Sequence, residues 1–113
     1  MKNYVQKGET LTLTAPYAVS SGGGVLVGSI FGVAATDVAS GEEGEFQVAG
    51  VFDLIRASGA GTGWPQGALI YWDNTAKAIT KTATSNKLIG VAVRAAADGD
   101  ATGRVRLNGA FIS

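Results

Sequence analysis

One stretch of sequence occurs twice in this chain, and that duplication limits the folds the chain can adopt. The first copy covers residues 32–52 (GVAATDVASGEEGEFQVAGVF) and the second covers residues 90–111 (GVAVRAAADGDATGRVRLNGAF). Matching residues lie 58 positions apart in the first part and, after one inserted residue, 59 apart in the remainder. Two copies are too few for a solenoid. In a chain of 113 residues, they predict one domain, residues 1–113, built from two similar halves.

Both copies of the repeat contain a strand pattern. Apolar and polar residues alternate, so that Phe46 and Val48 of the first copy match Val105 and Leu107 of the second. Period-two alternation predicts a half-buried β-strand with these side chains turned inward. The residues between them change from Glu and Gln to Arg and Arg. The inward positions stay apolar in both copies while the outward residues change, which indicates that the repeat serves as a scaffold.

The rest of the chain also predicts short strands separated by turns. Residues 9–14 alternate without a break, and Pro16 ends that segment. Further strands are predicted at 25–27, 30–34, 51–55, 68–72 and 88–93. Seventeen glycines favour tight turns, and no long helix is predicted. The pattern indicates an all-β sandwich or barrel whose two similar units lie at about residues 32–52 and 90–111.

Two segments are candidates for contact with a partner. Residues 1–7 form either an N-terminal arm or a strand of the protein's own sheet. Residues 57–67 are a Gly-rich loop predicted between the two halves. It is either a plain surface linker or a loop that presents Trp64 and Pro65, since tryptophan is enriched at interface hot spots.

The composition argues against most enzyme chemistry. The chain has no cysteine and no histidine, which excludes thiolate catalysis, Cys/His zinc sites and histidine-based triads. No phosphate-binding loop is present. Glu42, Glu43 and Glu45 are close in sequence, but they fall on a turn and an outward strand face, where hydration explains them. We predict no enzymatic activity, no cofactor and no metal site.

Charge and hydropathy limit the partners. Nine basic and nine acidic residues leave no net charge, so no nucleic-acid partner is predicted. The start of the sequence lacks an apolar signal core. The longest apolar run, residues 25–35, is short and broken by glycine and serine. We therefore expect a soluble protein without a membrane partner, synthesised in the host cytoplasm.

The order of several short motifs resembles one known family. These motifs are VQKGETLTLTAP (5–16), SGGGVLVGSIFGVAATD (21–37), GEFQVAGVFDL (44–54), GALIYWD (67–73), KLIGVAV (87–93) and VRLNG (105–109). Together they resemble the capsid decoration, or cement, proteins of tailed bacteriophages, a family that has also carried a recombinase-like label. The missing phosphate loop and the balanced charge do not support that label. The resemblance implies a structural virion protein on the outer surface of an assembled head, where it bridges capsomers of the major capsid protein.

The resemblance also frames the expected assembly and contacts. A homotrimer at the threefold positions of the capsid lattice is expected, with a dimer across twofold seams as the alternative. The predicted capsid or protomer contacts are Tyr4, Val5, Tyr17, Trp64, Pro65, Tyr71 and Trp72, of which Tyr71 and Trp72 suit the core or protomer packing. A different class of function, a carbohydrate-binding β-barrel on the virion surface, would use Trp64, Tyr71 and Trp72 as stacking platforms.

Overall fold

The chain folds into two antiparallel β-sheets, which confirms the predicted all-β class. The computed structural model describes residues 10–108. The predicted arm, with Tyr4 and Val5, lies outside these residues. Within them the nine strands are β1 (Thr10–Thr14), β2 (Gly24–Val27), β3 (Ile30–Ala34), β4 (Glu43–Gln47), β5 (Ala49–Ile55), β6 (Leu69–Asp73), β7 (Ala78–Thr80), β8 (Lys87–Ala92) and β9 (Thr102–Asn108).

The two sheets have the same strand order apart from one added strand. The first sheet runs β1-β4-β3-β2 and the second runs β5-β9-β8-β6-β7. Strands β1, β2, β3 and β4 therefore correspond to β5, β6, β8 and β9, and β7 is an extra edge strand. The second sheet curls into a half-barrel in which the end of β5 reaches β7 through a bridge between Arg56 and Ile79.

Backbone hydrogen bonds outside the strands also occur at matching positions in the two halves. The N–H of Gly22 donates to the carbonyl of Ala34 at 2.8 Å, and the N–H of Gly67 donates to that of Ala92 at 2.7 Å. The bridge between residues 19 and 38 in the first half matches the bridge between residues 64 and 96 in the second. The duplicated unit is therefore larger than the sequence repeat, and we define the first unit as residues 10–48 and the second as residues 49–108.

This boundary moves the junction between the halves. The sequence placed the junction in the Gly-rich loop at 57–67. In the structure this loop joins β5 to β6 inside the second unit, where it corresponds to the turn between β1 and β2. Its backbone is held in place, because the N–H of Trp64 donates to the carbonyl of Ala96 at 3.0 Å and the carbonyl of Trp64 accepts a hydrogen bond from the N–H of Ala96 at 2.9 Å.

The repeated glycines mark places where two backbones come close. A Cβ on Gly32 would lie 2.9 Å from Cβ of Phe46 in the neighbouring strand. A Cβ on Gly90, the matching position, would lie 2.1 Å from the carbonyl oxygen of Arg106. No larger residue fits at either position unless the strands move apart.

The core has two parts, and the larger one also includes Phe31 and Val33 of the first unit. The smaller cluster, within the first unit, contains Phe46 and Val25, which are fully buried. The larger one fills the half-barrel and includes Ile70, Ile79 and Val105. Each such side chain contributes about 1.5–3 kcal/mol of burial free energy. Phe46, Val48, Val105 and Leu107 are all buried, which confirms the inward positions predicted from the repeat.

No helix among residues 10–108 is long and apolar enough to cross a bilayer.

Candidate contact surfaces

A groove beside Tyr17 lies where the two units meet. We call it the Tyr17 groove and define it by Tyr17, Ile55, Trp72, Lys77 and the turn at 20–24. It encloses about 330 Å³. Tyr17 is half-buried there, and its hydroxyl donates a hydrogen bond to the carbonyl of Gly24 at 2.6 Å. Burial raises the pKa of the Tyr17 hydroxyl.

The groove combines one cation with an exposed apolar side chain. The ammonium of Lys77 sits 4.4 Å from the centroid of the Tyr17 ring and also donates to the backbone carbonyl of Asn74. Ile55 is 68% exposed at the end of β5. Trp72 forms the floor, where its indole N–H donates to the side-chain oxygen of Asn74 at 3.0 Å. Aromatic rings of this kind are enriched at protein-binding surfaces.

A second surface covers the outer face of the half-barrel. We call it the outer patch and define it by Val51, Leu69, Leu88, Val91 and Arg106. Four of these residues form one row across the sheet, because Val51 pairs with Arg106, Arg106 with Val91, and Val91 with Leu69. Leu69 is 54% exposed and Val51 is 53% exposed. The hollow beside them measures about 190 Å³.

Arg106 carries an uncompensated charge in this patch. Among residues 10–108 its guanidinium has no hydrogen-bond or ion-pair partner, and the carboxylate of Asp53 pairs with Arg104. The Asp53–Arg104 pair is bidentate, with distances of 3.0 and 3.1 Å. The hydrogen bond and charge of Arg104 lower the pKa of Asp53. An apolar patch around a free cation suits a partner surface that carries both apolar side chains and a carboxylate.

Two of the predicted contact residues are buried in the core. Trp64 is 4% exposed, with the Arg56 guanidinium 4.6 Å from its ring centroid and Gly103 against its edge. Trp72 is 3% exposed. Neither ring is therefore open as the stacking platform that a carbohydrate-binding surface would need. Tyr71 is half-buried on β6, and Pro65 is exposed.

Several residues of these surfaces were not predicted as contacts from the sequence, namely Leu69, Leu88, Ile55, Lys77 and Arg106. Residues 68–72 are almost continuously apolar, so the segment looks buried on both faces. Period-two counting from Ile70 and Trp72 would have turned Leu69 outward. No sequence pattern marked Ile55, because it follows Leu54 in a run that also suits a buried strand.

Glu42, Glu43 and Glu45 are exposed on β4 and the turn before it, which agrees with their assignment to a hydrated surface. The hydroxyl of Thr12 donates to Glu45 at 2.8 Å across the strand pair. Among residues 10–108, no set of three acidic side chains is grouped so that it could hold a metal ion.

The chain is a β scaffold of two antiparallel sheets that presents exposed apolar side chains. The family model for phage cement proteins matches residues 5–107, so the chain belongs to the phage cement protein family. The match spans both units and both surfaces. It makes the chain a structural, capsid-associated phage protein of the virion. Searches of curated proteins and of solved structures gave no match.

Proposed function

We propose that this protein binds the outer surface of the assembled phage head and stabilises it by bridging capsomers of the major capsid protein. The observation that carries the proposal is the match to the cement family along residues 5–107. Packed DNA pushes the head outward, and a clamp across capsomer seams resists that pressure. The role is structural, with binding in place of catalysis.

The Tyr17 groove is the surface that we assign to the capsid. It contains Ile55, which at 68% exposure offers the most apolar surface to a partner among the four large apolar residues that remain exposed on the described chain. Lys77 lies at its rim and can pair with a carboxylate of the capsid protein. Tyr17, predicted from sequence as a contact, forms the groove wall. Tyr4, Val5 and Pro65 remain proposed additional contacts.

We further propose that the protein acts as a homotrimer at the threefold positions of the lattice, with a dimer as the alternative. Three grooves held together bind the lattice much more tightly than one, because the second and third contacts are intramolecular. Each groove then needs only modest affinity. A set of small contacts of this kind is adequate for a protein that decorates many equivalent sites.

The proposal is tested by mixing purified protein with expanded heads that lack it and measuring co-sedimentation. We expect saturable binding to expanded heads, and treated heads should resist heat better than bare ones. Ile55→Asp should reduce the affinity by at least about tenfold, because it replaces roughly 1.5–3 kcal/mol of apolar burial with a carboxylate. Thr84→Asp, an exposed change outside both surfaces, is the matched control and should bind normally.

Wild-type protein that stays in the supernatant with heads of its own phage would refute the proposed function. Full binding by Ile55→Asp would refute the assignment of the groove while leaving head binding in place.

A further inference from the structure

The first unit has its own outer row, and the second unit covers two of its three positions, Gly24 and Val33, while Gln47 is exposed. In the first sheet Gly24 pairs with Val33 and Val33 pairs with Gln47, which matches the Leu69, Val91 and Arg106 row of the second sheet. Val33 is only 3% exposed because it packs in the half-barrel core. A Cβ on Gly24 would lie 3.0 Å from the Trp72 ring. The Trp72 ring therefore lies over Gly24, and its centroid is 4.9 Å from that of Phe31.

The matching row of the second unit is bare. Leu69 takes the place of Gly24 and is 54% exposed, and Val91 takes the place of Val33 and is half-buried. In the first unit the glycine leaves space for the Trp72 ring, whereas in the second unit a leucine projects outward. Apolar surface is therefore exposed on the row of the second unit, and no further unit of the described chain covers it.

We propose that a second copy of this chain covers the outer patch through a head-to-tail contact, in which the β2–β3 hairpin of one copy packs on Leu69 and Val91 of another. This inference rests on the proposed function and names the protomer interface of that assembly. Within one chain, the second unit packs on the outer row of the first unit. Between chains, the first unit of one copy packs on the matching row of the second unit of another.

The hairpin has the surface that this contact needs. Val27 takes the position in β2 that Trp72 takes in β6, and Trp72 is the residue that lies over Gly24 in the row of the first unit. Val27 and Ile30 flank the exposed turn Gly28-Ser29, and both are half-buried. Their remaining apolar surface can pack on Leu69 in the way that Trp72 packs on Phe31.

The distribution of charge supports a head-to-tail arrangement over a twofold one. Residues 10–48 contain four acidic residues and no basic residue, whereas residues 49–108 contain seven basic and four acidic residues. The first unit is therefore negative and the second positive. A head-to-tail contact places the acidic unit of one copy beside the basic unit of another, while a twofold contact through the outer patch would set Arg106 against its own copy. Head-to-tail contacts close into a ring when the rotation allows it, as a trimer requires.

Disulfide cross-linking tests the contact directly, because the chain contains no cysteine. Full-length Val27→Cys and Leu69→Cys proteins are made separately and mixed under mild oxidation. We expect cross-linked dimers in the mixture and little above background in either protein alone. The Val27→Cys/Leu69→Cys double variant should give a covalently closed oligomer of the size found for the wild type by native mass spectrometry.

A surface variant gives an independent measure that does not depend on disulfide geometry. Leu69→Asp should weaken self-association by at least about tenfold in sedimentation experiments, as expected for a residue at the centre of an interface. Because Leu69 is largely exposed, the variant should keep the wild-type circular dichroism spectrum. Ile55→Asp should keep the wild-type oligomeric mass.

Several results would overturn the inference. Efficient cross-linking of Leu69→Cys with itself would show a twofold interface instead. An unchanged mass for Leu69→Asp, together with lost head binding, would assign the patch to the capsid. The contact would be excluded if the wild-type chain stays monomeric in solution and the cysteine variants give no cross-link on heads. If that chain still binds heads, the proposed function stands. A cross-linked oligomer that does not bind heads would support the contact and refute the proposed function.

Discussion

Arg56 provides a direct test of how the second unit holds its loops. The residue is 3% exposed and takes the position that Ala15, 1% exposed, has in the first unit. Its guanidinium donates to the carbonyl of Ala97 at 2.8 Å, to that of Asp100 at 2.7 Å, and to that of Thr62. One side chain therefore ties the loop after β5 to the loop before β9.

The cost of removing this side chain follows from these bonds. A hydrogen bond from a charged donor contributes about 1.5–3 kcal/mol net, so three bonds set an upper range of roughly 4.5–9 kcal/mol. Removing the guanidinium also relieves the cost of burying its charge, and the freed carbonyls can reach water from their loops. We therefore expect Arg56→Met to lower the free energy of unfolding by about 3 kcal/mol. For a domain of this size, that lowers Tm by about 12 °C.

The measurement is urea unfolding at fixed protein concentration, with Arg94→Met as the matched control. Arg94 is exposed, so its replacement should change stability by no more than about 0.5 kcal/mol. Arg56→Lys should fall between Arg56→Met and the wild type, because a single ammonium cannot reach both loops with the fork geometry of a guanidinium. A loss below about 1 kcal/mol for Arg56→Met would refute the reasoning.

Two further predictions concern the backbone and the pH dependence of the same unit. Gly90→Ala should destabilise the fold by several kcal/mol, since its Cβ would lie 2.1 Å from the carbonyl oxygen of Arg106, whereas Gly99→Ala, with open space around it, serves as the control in thermal unfolding. Hydrogen bonds from the N–H groups of Gly61 and Gly63 lower the pKa of Asp98 in the folded state. Its contribution is therefore present above the unfolded pKa of about 3.9 and is lost as the pH falls through the lower folded value. The acid side of the Tm–pH profile should be shallower in Asp98→Asn, and an unchanged profile would contradict this prediction.

Alternation of side chains was a sufficient basis for predicting β1, β4 and β9, but not β7. Phe46 and Val105 point inward as predicted, because a period of two is a property of the extended backbone and needs no knowledge of the neighbours. The boundary of the duplicated unit was not visible in the same way. Strand β1 reads TLTLT and its counterpart β5 reads AGVFDLI, so the two share alternation but few residues. Only the hydrogen-bond pattern and the strand order identify them as equivalent.

The position of Trp64 could not be predicted from its surroundings in sequence. Four glycines between residues 57 and 67 indicate a surface loop, and the backbone does follow the surface. The ring turns inward because Gly103, distant in sequence, leaves space for it, with a would-be Cβ only 2.5 Å from the indole. The matching Gly44 leaves the same space for Val38. A glycine that repeats in sequence can therefore serve different partners in its two copies.

The contact surfaces depend on how the two units have diverged. A duplicated scaffold with identical units would expose the same chemistry twice, and its copies could associate in either direction. Here one unit is acidic, with Gly24 and Val33 of its outer row covered, while the other is basic and exposes Leu69 on the matching row. In the proposed head-to-tail contact, this difference sets the direction, with the second unit of one copy against the first unit of the next. The Tyr17 groove, formed where the units meet, would then recur once per copy around a closed ring and present the same side chains to each subunit of a threefold site on the head.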